Sequence, residues 1–202
     1  MENFIETLGA EFVVLVVAAP ALRLLGVLGV RRFTDWTVCA AHAMAVMLVL
    51  TGIVRFVPDS VAAMPSAEEL ARMVPPFVPF PLAMVYLTGV LELLVAVGLV
   101  LARTRWSAAV GLAVLLPLLL PANIYAALND IPLNGAEATP LWVRVPQQAA
   151  YIAIALWIAK SADSTGARRL LKLARAAMTS RMRISPRTWR AIRRTSGTGP
   201  GS

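Results

Sequence analysis

One cysteine, Cys39, and one histidine, His42, are all that 202 residues supply of the two side chains most used for metal and redox chemistry. A lone cysteine excludes an intramolecular disulfide, a CxxC pair and a thiolate-built zinc or iron–sulfur site within one chain. A lone histidine excludes the paired imidazoles of a membrane b-type haem. No metal site is expected, and no cofactor is certain. The P-loop, the dinucleotide-binding glycine fingerprint, HExxH and GxSxG are absent. Charge is scarce as well: 15% of residues are charged, where soluble domains carry about a quarter. Any chemistry falls to Glu, Arg, Tyr, Asn and Gln, or there is none.

What is abundant is apolar sequence, 58% of the chain, with a mean hydropathy of +0.72. The few charges are segregated. Residues 160–202 hold 11 of the 19 Lys and Arg and a single acid, Asp163, giving a net +10, while the preceding 159 residues carry −2. A bilayer core about 30 Å thick takes roughly 20 apolar residues in a helix. Five segments qualify: Phe12–Val30, Thr37–Phe56, Pro81–Ala102, Trp106–Leu128 and Trp142–Ala159. Trp36, Trp106 and Trp142 stand at segment ends, as interfacial anchors do.

The connecting segments alternate in charge, as a five-span chain requires. Glu2, Glu6 and Glu11 precede the first span, and Arg31 and Arg32 follow it. Asp59, Glu68 and Glu69 dominate the loop at 57–80, Arg103 and Arg105 the next, Asp130 and Glu137 the loop at 129–141, and the tail is basic. Placing the basic segments in the cytoplasm puts the N-terminus outside and the C-terminus inside. A cleaved leader is the rival reading of the first span, but such a leader begins with positive charge and this one begins with three glutamates. Arg23 is expected to snorkel towards Arg31 and Arg32.

Ionisable groups at membrane depth are functional candidates by default. Glu92 lies near the middle of its span, with Thr88 and Gly89 on the same helical face. The topology gathers Arg55, Tyr86, Asn123, Tyr125, Arg144 and Gln147 in the outer half. The expectation is an outward-facing polar pocket floored by Glu92 and walled by those six. The competing reading is an interhelical hydrogen-bond network that only holds the bundle together. Pro117 and Pro121 remove two N–H donors and free upstream carbonyls, as where a helix lines a cavity. The proline-rich Met73–Pro81 stretch is read as a stiff cap over the pocket mouth or a rigid connector. His42 reads as a packing residue and Cys39 as a small buried apolar one.

The tail sets Leu170, Leu171, Leu173, Met178 and Met182 among Arg168, Arg169, Lys172, Arg175, Arg181 and Arg183 at near-helical spacing. That pattern predicts a helix lying on anionic lipid. Aromatic–basic interleaving suited to base stacking is missing, so nucleic acid is not an expected partner.

From about Arg31 to Lys160 the chain resembles the DoxX-like membrane proteins, small bacterial four-helix proteins. The residues carrying the likeness are Thr51-Gly-Ile-Val-Arg-Phe56 with Pro58, Pro75-Pro-Phe-Val-Pro-Phe-Pro81, Tyr86-Leu-Thr-Gly-Val-Leu-Glu92, Arg103-Thr-Arg105, Pro121-Ala-Asn-Ile-Tyr-Ala-Ala-Leu128 and Trp142-Val-Arg-Val-Pro-Gln147. In that family the aromatic at Phe56 usually follows a histidine, where this chain has Arg55. The resemblance implies an all-α polytopic bundle divided as 1–36 (first span and basic loop), 37–160 (four-helix core) and 161–202 (basic cytoplasmic tail). It also implies association with quinone or with subunits of a redox complex, and oligomers are compatible with it. Tyr86 and Tyr125 would then flank a quinone ring, Gln147, Asn123 or Arg144 donate to its carbonyl, and Glu92 relay a proton. A non-catalytic scaffold or accessory subunit is the alternative. A small-solute transporter is disfavoured by the short core and the lack of a repeat.

Overall fold

The computed structural model describes residues 10–58, 64–132 and 139–182, and over these it is helical with no strand. Its elements are α1 (Ala10–Val27), a 3₁₀ turn (Arg31–Phe33), α2 (Trp36–Val54), α3 (Ala67–Arg72), α4 (Pro81–Val100), α5 (Arg105–Leu128) and α6 (Leu141–Met182). Among the described residues, α2, α4 and α5 are long and apolar enough to cross a membrane. The protein is therefore an all-α membrane protein.

Local chemistry sets the helix boundaries. The Asp35 carboxylate accepts from the Thr37 N–H at 2.9 Å and caps α2. Ser66 and Glu69 close a reciprocal capping box that starts α3, a helix the hydropathy of the 57–80 loop does not signal. Pro81 opens α4 at the one place where a missing N–H costs nothing. Phe80 before it takes a left-handed backbone, φ 54°, and so turns the chain sharply out of the proline-rich segment. Both Pro117 and Pro121 are absorbed inside α5.

Packing centres on α2, which lies against α1 and α4, while α4 also packs on α5. The shared core is built from small residues such as Ala41, Ala43, Ala96, Ala109 and Ala155 around Met44, Leu99, Leu112 and Ile158. In a bilayer, where apolar burial gives no drive between helices, close approach through alanine is what makes contact favourable. Large apolar side chains face outward instead, among them Leu94, Val97, Leu118 and Trp157. Cys39 is wholly buried, its Sγ donating to the Phe33 carbonyl at 3.3 Å. His42 is half-buried, edge-on to Phe33, with Nδ1 donating to the Val38 carbonyl at 2.7 Å and Nε2 accepting from Arg32 at 3.1 Å. Both ring nitrogens are thus committed. Arg23 reaches the start of α2, just beyond the Arg31–Phe33 turn. Its guanidinium lies 5.9 Å from the Trp36 ring centroid, within cation–π range.

The chain divides into two compact units, Met1–Ala162 and Asp163–Ser202, of which the helix bundle is the first. In the second, the backbone is helical to Met182. The side chains of Arg168, Arg169, Lys172, Arg175 and Arg181, and Arg183 altogether, lie outside the described residues, as do Glu2, Glu6, Asp59 and Glu137 of the charge pattern.

Candidate functional site

Glu92 sits on α4, 3% exposed, and faces the last turn of α2. There Arg55 meets it with both arms of its guanidinium: Nη1 donates to Oε2 at 2.6 Å and Nη2 to Oε1 at 2.8 Å. Thr51, one turn earlier on α2, donates its hydroxyl to Oε2 at 3.0 Å, and Arg55 Nη1 also donates to the Thr51 carbonyl at 2.8 Å. The two helices can close on this pair because of glycine. A Cβ on Gly89 would fall 2.9 Å from both the Arg55 Cδ and the Phe56 ring.

A second polar cluster ties three other helices together. Arg144 on α6 donates through Nη1 to Glu11 on α1 at 3.1 Å and through Nη2 to the Asn123 side-chain oxygen on α5 at 2.9 Å. Asn123 in turn donates to the Leu119 carbonyl at 3.2 Å, and the buried Gln148 donates to the Leu116 carbonyl. The amides thus add bonds to carbonyls within the stretch that holds Pro117 and Pro121, whose missing N–H groups take the helical donors from the Ala113 and Pro117 carbonyls.

Both clusters border one cavity of about 770 Å³. Its wall is mostly apolar, from α2, α4 and α5, and the proline-rich segment contributes Pro75, Phe77 and Val78. Polar groups reach it at Thr51, Arg55, Glu92, Glu11, Arg144, Asn123, Gln148 and Tyr151. Tyr151, 5% exposed, lines the same wall, and its buried hydroxyl has no hydrogen-bond partner among the described residues. A buried phenol usually finds one.

Four of the seven residues expected at the pocket therefore line it: Glu92, Arg55, Asn123 and Arg144. The other three do not. Tyr86 lies on the outside of α4, 40% exposed, its ring 5.7 Å from Phe56. Tyr125, half-buried, is not part of the wall, and its backbone carbonyl accepts from the Asn129 side chain. Gln147 is buried on the flank of α6, and its neighbour Gln148 faces the cavity. Helical spacing carries the signal for the residues missed, since Arg144, Gln148 and Tyr151 at i, i+4 and i+7 form one stripe that Gln147 borders. No sequence signal singles out Glu11 from the other two N-terminal glutamates. Among the described residues no cluster of three His, Cys, Asp or Glu side chains is placed to hold a metal ion.

Residues 44–159 match the profile of a family described as a domain of unknown function (DUF8561). The chain belongs to the DUF8561 family. The matched span runs from the middle of α2 into α6, so it includes Arg55, Glu92, Asn123, Arg144 and Tyr151 and leaves out Glu11. No curated protein and no solved structure matches the chain.

Proposed function

We propose that this DUF8561 protein uses the cavity to hold a small lipophilic molecule with hydrogen-bonding oxygens, of the quinone class, in a DoxX-like bundle of five spans in the bacterial inner membrane. The observation that carries the reading is that Tyr151 lines the cavity while its hydroxyl, buried, has no hydrogen-bond partner among the described residues. Leaving such a group unsatisfied costs about 1–3 kcal/mol, which a ligand carbonyl would recover. The volume lies within the roughly 300–1,000 Å³ of small-molecule sites, and a largely apolar wall with few polar groups is their usual make-up. In this role Tyr151 donates to the ligand oxygen. Arg144 and Asn123, already joined to each other, orient the polar end, and the apolar wall takes the ring and any isoprenoid chain. The sequence likeness to DoxX-like proteins and the outward gathering of polar residues support a place beside a redox complex. The basic tail serves as a lipid-binding arm on the cytoplasmic side.

Mass spectrometry of the gently extracted protein tests the reading, with a co-eluting quinone as the expected finding. A soluble short-chain quinone should bind Tyr151→Phe about tenfold more weakly than the parent, the loss of one hydrogen bond worth about 1.4 kcal/mol. Equal binding by the two, with no co-eluting lipophile, would overturn it. One observation favours the scaffold alternative: each ion pair bridges separate helices, Glu92 to Arg55 and Glu11 to Arg144. A stable protein partner copurifying with the ligand-free chain would favour that reading.

A further inference from the structure

At the opposite end of α2 from Glu92, two arginines converge on the C-terminal end of α4. Arg32 spends Nε on His42 and Nη2 on the Val100 carbonyl, at 3.1 and 3.0 Å. Arg105 spends Nε on the Leu99 carbonyl and Nη2 on that same Val100 oxygen, at 2.8 and 3.2 Å. Two Nη2 atoms that lie 3.0 and 3.2 Å from one oxygen stand within about 6 Å of each other. Two full positive charges are therefore held side by side. Among the described residues neither has a carboxylate within ion-pair distance, the two ion pairs being those of Arg55 and Arg144. Asp35, the acid of the neighbouring loop, is turned to cap α2.

The carbonyls at the end of α4 supply only partial negative charge. Among the described residues each guanidinium also uses just two of its five N–H groups. We propose that Arg32 and Arg105 together bind a phosphate-bearing anion, the headgroup of an anionic phospholipid. One tetrahedral phosphate can accept from both forks at ordinary N–H···O⁻ distances of about 2.8 Å. Lipid is favoured over a free anion by position: Trp36, in the first turn of α2, and Trp106, in the first turn of α5, both about half exposed, set this end of the bundle at headgroup level. Basic pockets between spans are where such headgroups dock. The site is separate from the cavity, whose wall includes neither arginine.

The test uses the full chain in detergent micelles, read by native mass spectrometry and by thermal stability with added phosphatidylglycerol, phosphatidylcholine or inorganic phosphate. The parent should retain one phosphatidylglycerol per chain about tenfold more strongly than phosphatidylcholine and gain stability from it. The double variant Arg32→Gln, Arg105→Gln should lose that preference. Arg31→Gln, Arg103→Gln removes the same charge from two exposed arginines of the same end and should keep it. Equal loss in both doubles would mean diffuse attraction and overturn the site. Stabilisation by inorganic phosphate with no response to phosphatidylglycerol would keep the anion site and overturn its lipid source. If the first double does not fold, Arg32→Gln alone is compared with Arg31→Gln. A parent chain that prefers neither lipid and ignores phosphate overturns the proposal without any variant.

Discussion

Glu92→Gln separates a buried ion pair from a mere polar contact. Glutamine keeps the size of the side chain and an oxygen for Thr51, but it removes the charge that answers Arg55. The carboxylate is nearly fully enclosed, with 4% of its side chain exposed against 15% for Arg55. The arginine cannot simply turn to water, because its second anchor is the Thr51 carbonyl. Two bonds between opposite charges, at 2.6 and 2.8 Å, are replaced by at most one from the guanidinium to an uncharged amide oxygen, and an uncompensated cation is left in an apolar bundle. Breaking such a pair from one side costs about 3–5 kcal/mol. Even the lower figure is more than a hundredfold in the unfolding equilibrium. Replacing both members, Arg55→Leu with Glu92→Leu, leaves no orphan and should fall within about 2 kcal/mol of the parent. Unfolding in mixed micelles titrated with a denaturing detergent, run on the parent, Glu92→Gln, Arg55→Leu, Glu92→Leu and the Leu–Leu double, gives the coupling energy directly from the last three and the parent. Glu92→Gln within about 0.5 kcal/mol of the parent, with no coupling in the cycle, would refute the enclosed-pair argument.

Three further outcomes are expected. Gly26→Ala places a Cβ 2.0 Å from the Phe33 backbone oxygen, so it should cost about 2–3 kcal/mol in the same assay despite alanine's better helix propensity, and an unchanged midpoint would contradict the packing of the 3₁₀ turn on α1. Reporter fusions after residues 35, 70, 104, 135 and 165 should read inside, outside, inside, outside, inside, and an outside signal at 165 would reverse the proposed orientation. A peptide of residues 166–194 should be unstructured in buffer, helical on anionic vesicles and released by salt, whereas equal helicity on neutral vesicles would remove charge as the cause.

The helices were legible because length and hydropathy decide them: the segments read at 37–56, 81–102 and 106–128 appear as Trp36–Val54, Pro81–Val100 and Arg105–Leu128. Which way each helix faces was harder to read. A helix apolar on every side has no polar stripe to show its rotation about its own axis. Tyr86 and Tyr125 were therefore assigned by depth alone, and depth does not distinguish the cavity side from the lipid side. Glu92 and Arg144 were easier, since a charge at such depth must turn inward to a partner. Their partners came from elsewhere in the chain, Thr51 and Arg55 from α2 and Glu11 from α1, and only the assembled bundle shows these pairings.

The two ion pairs also differ in when they can form during synthesis. Arg55 and Glu92 are 37 residues apart, and Arg144 and Glu11 are 133 apart. At about 5–20 residues per second the first partner waits roughly 2–7 s for the second in one case and roughly 7–27 s in the other. Glu92 enters the bilayer in the middle of α4, where an unpaired acid is costly, but α2 with Arg55 has already been made and can receive it. The Glu11 cluster closes only after α6, which carries Arg144, emerges. The bundle is thus built from an early hairpin-like half sealed at Glu92 and locked later by Arg144, which makes the order of insertion a property written into the separation of its charges.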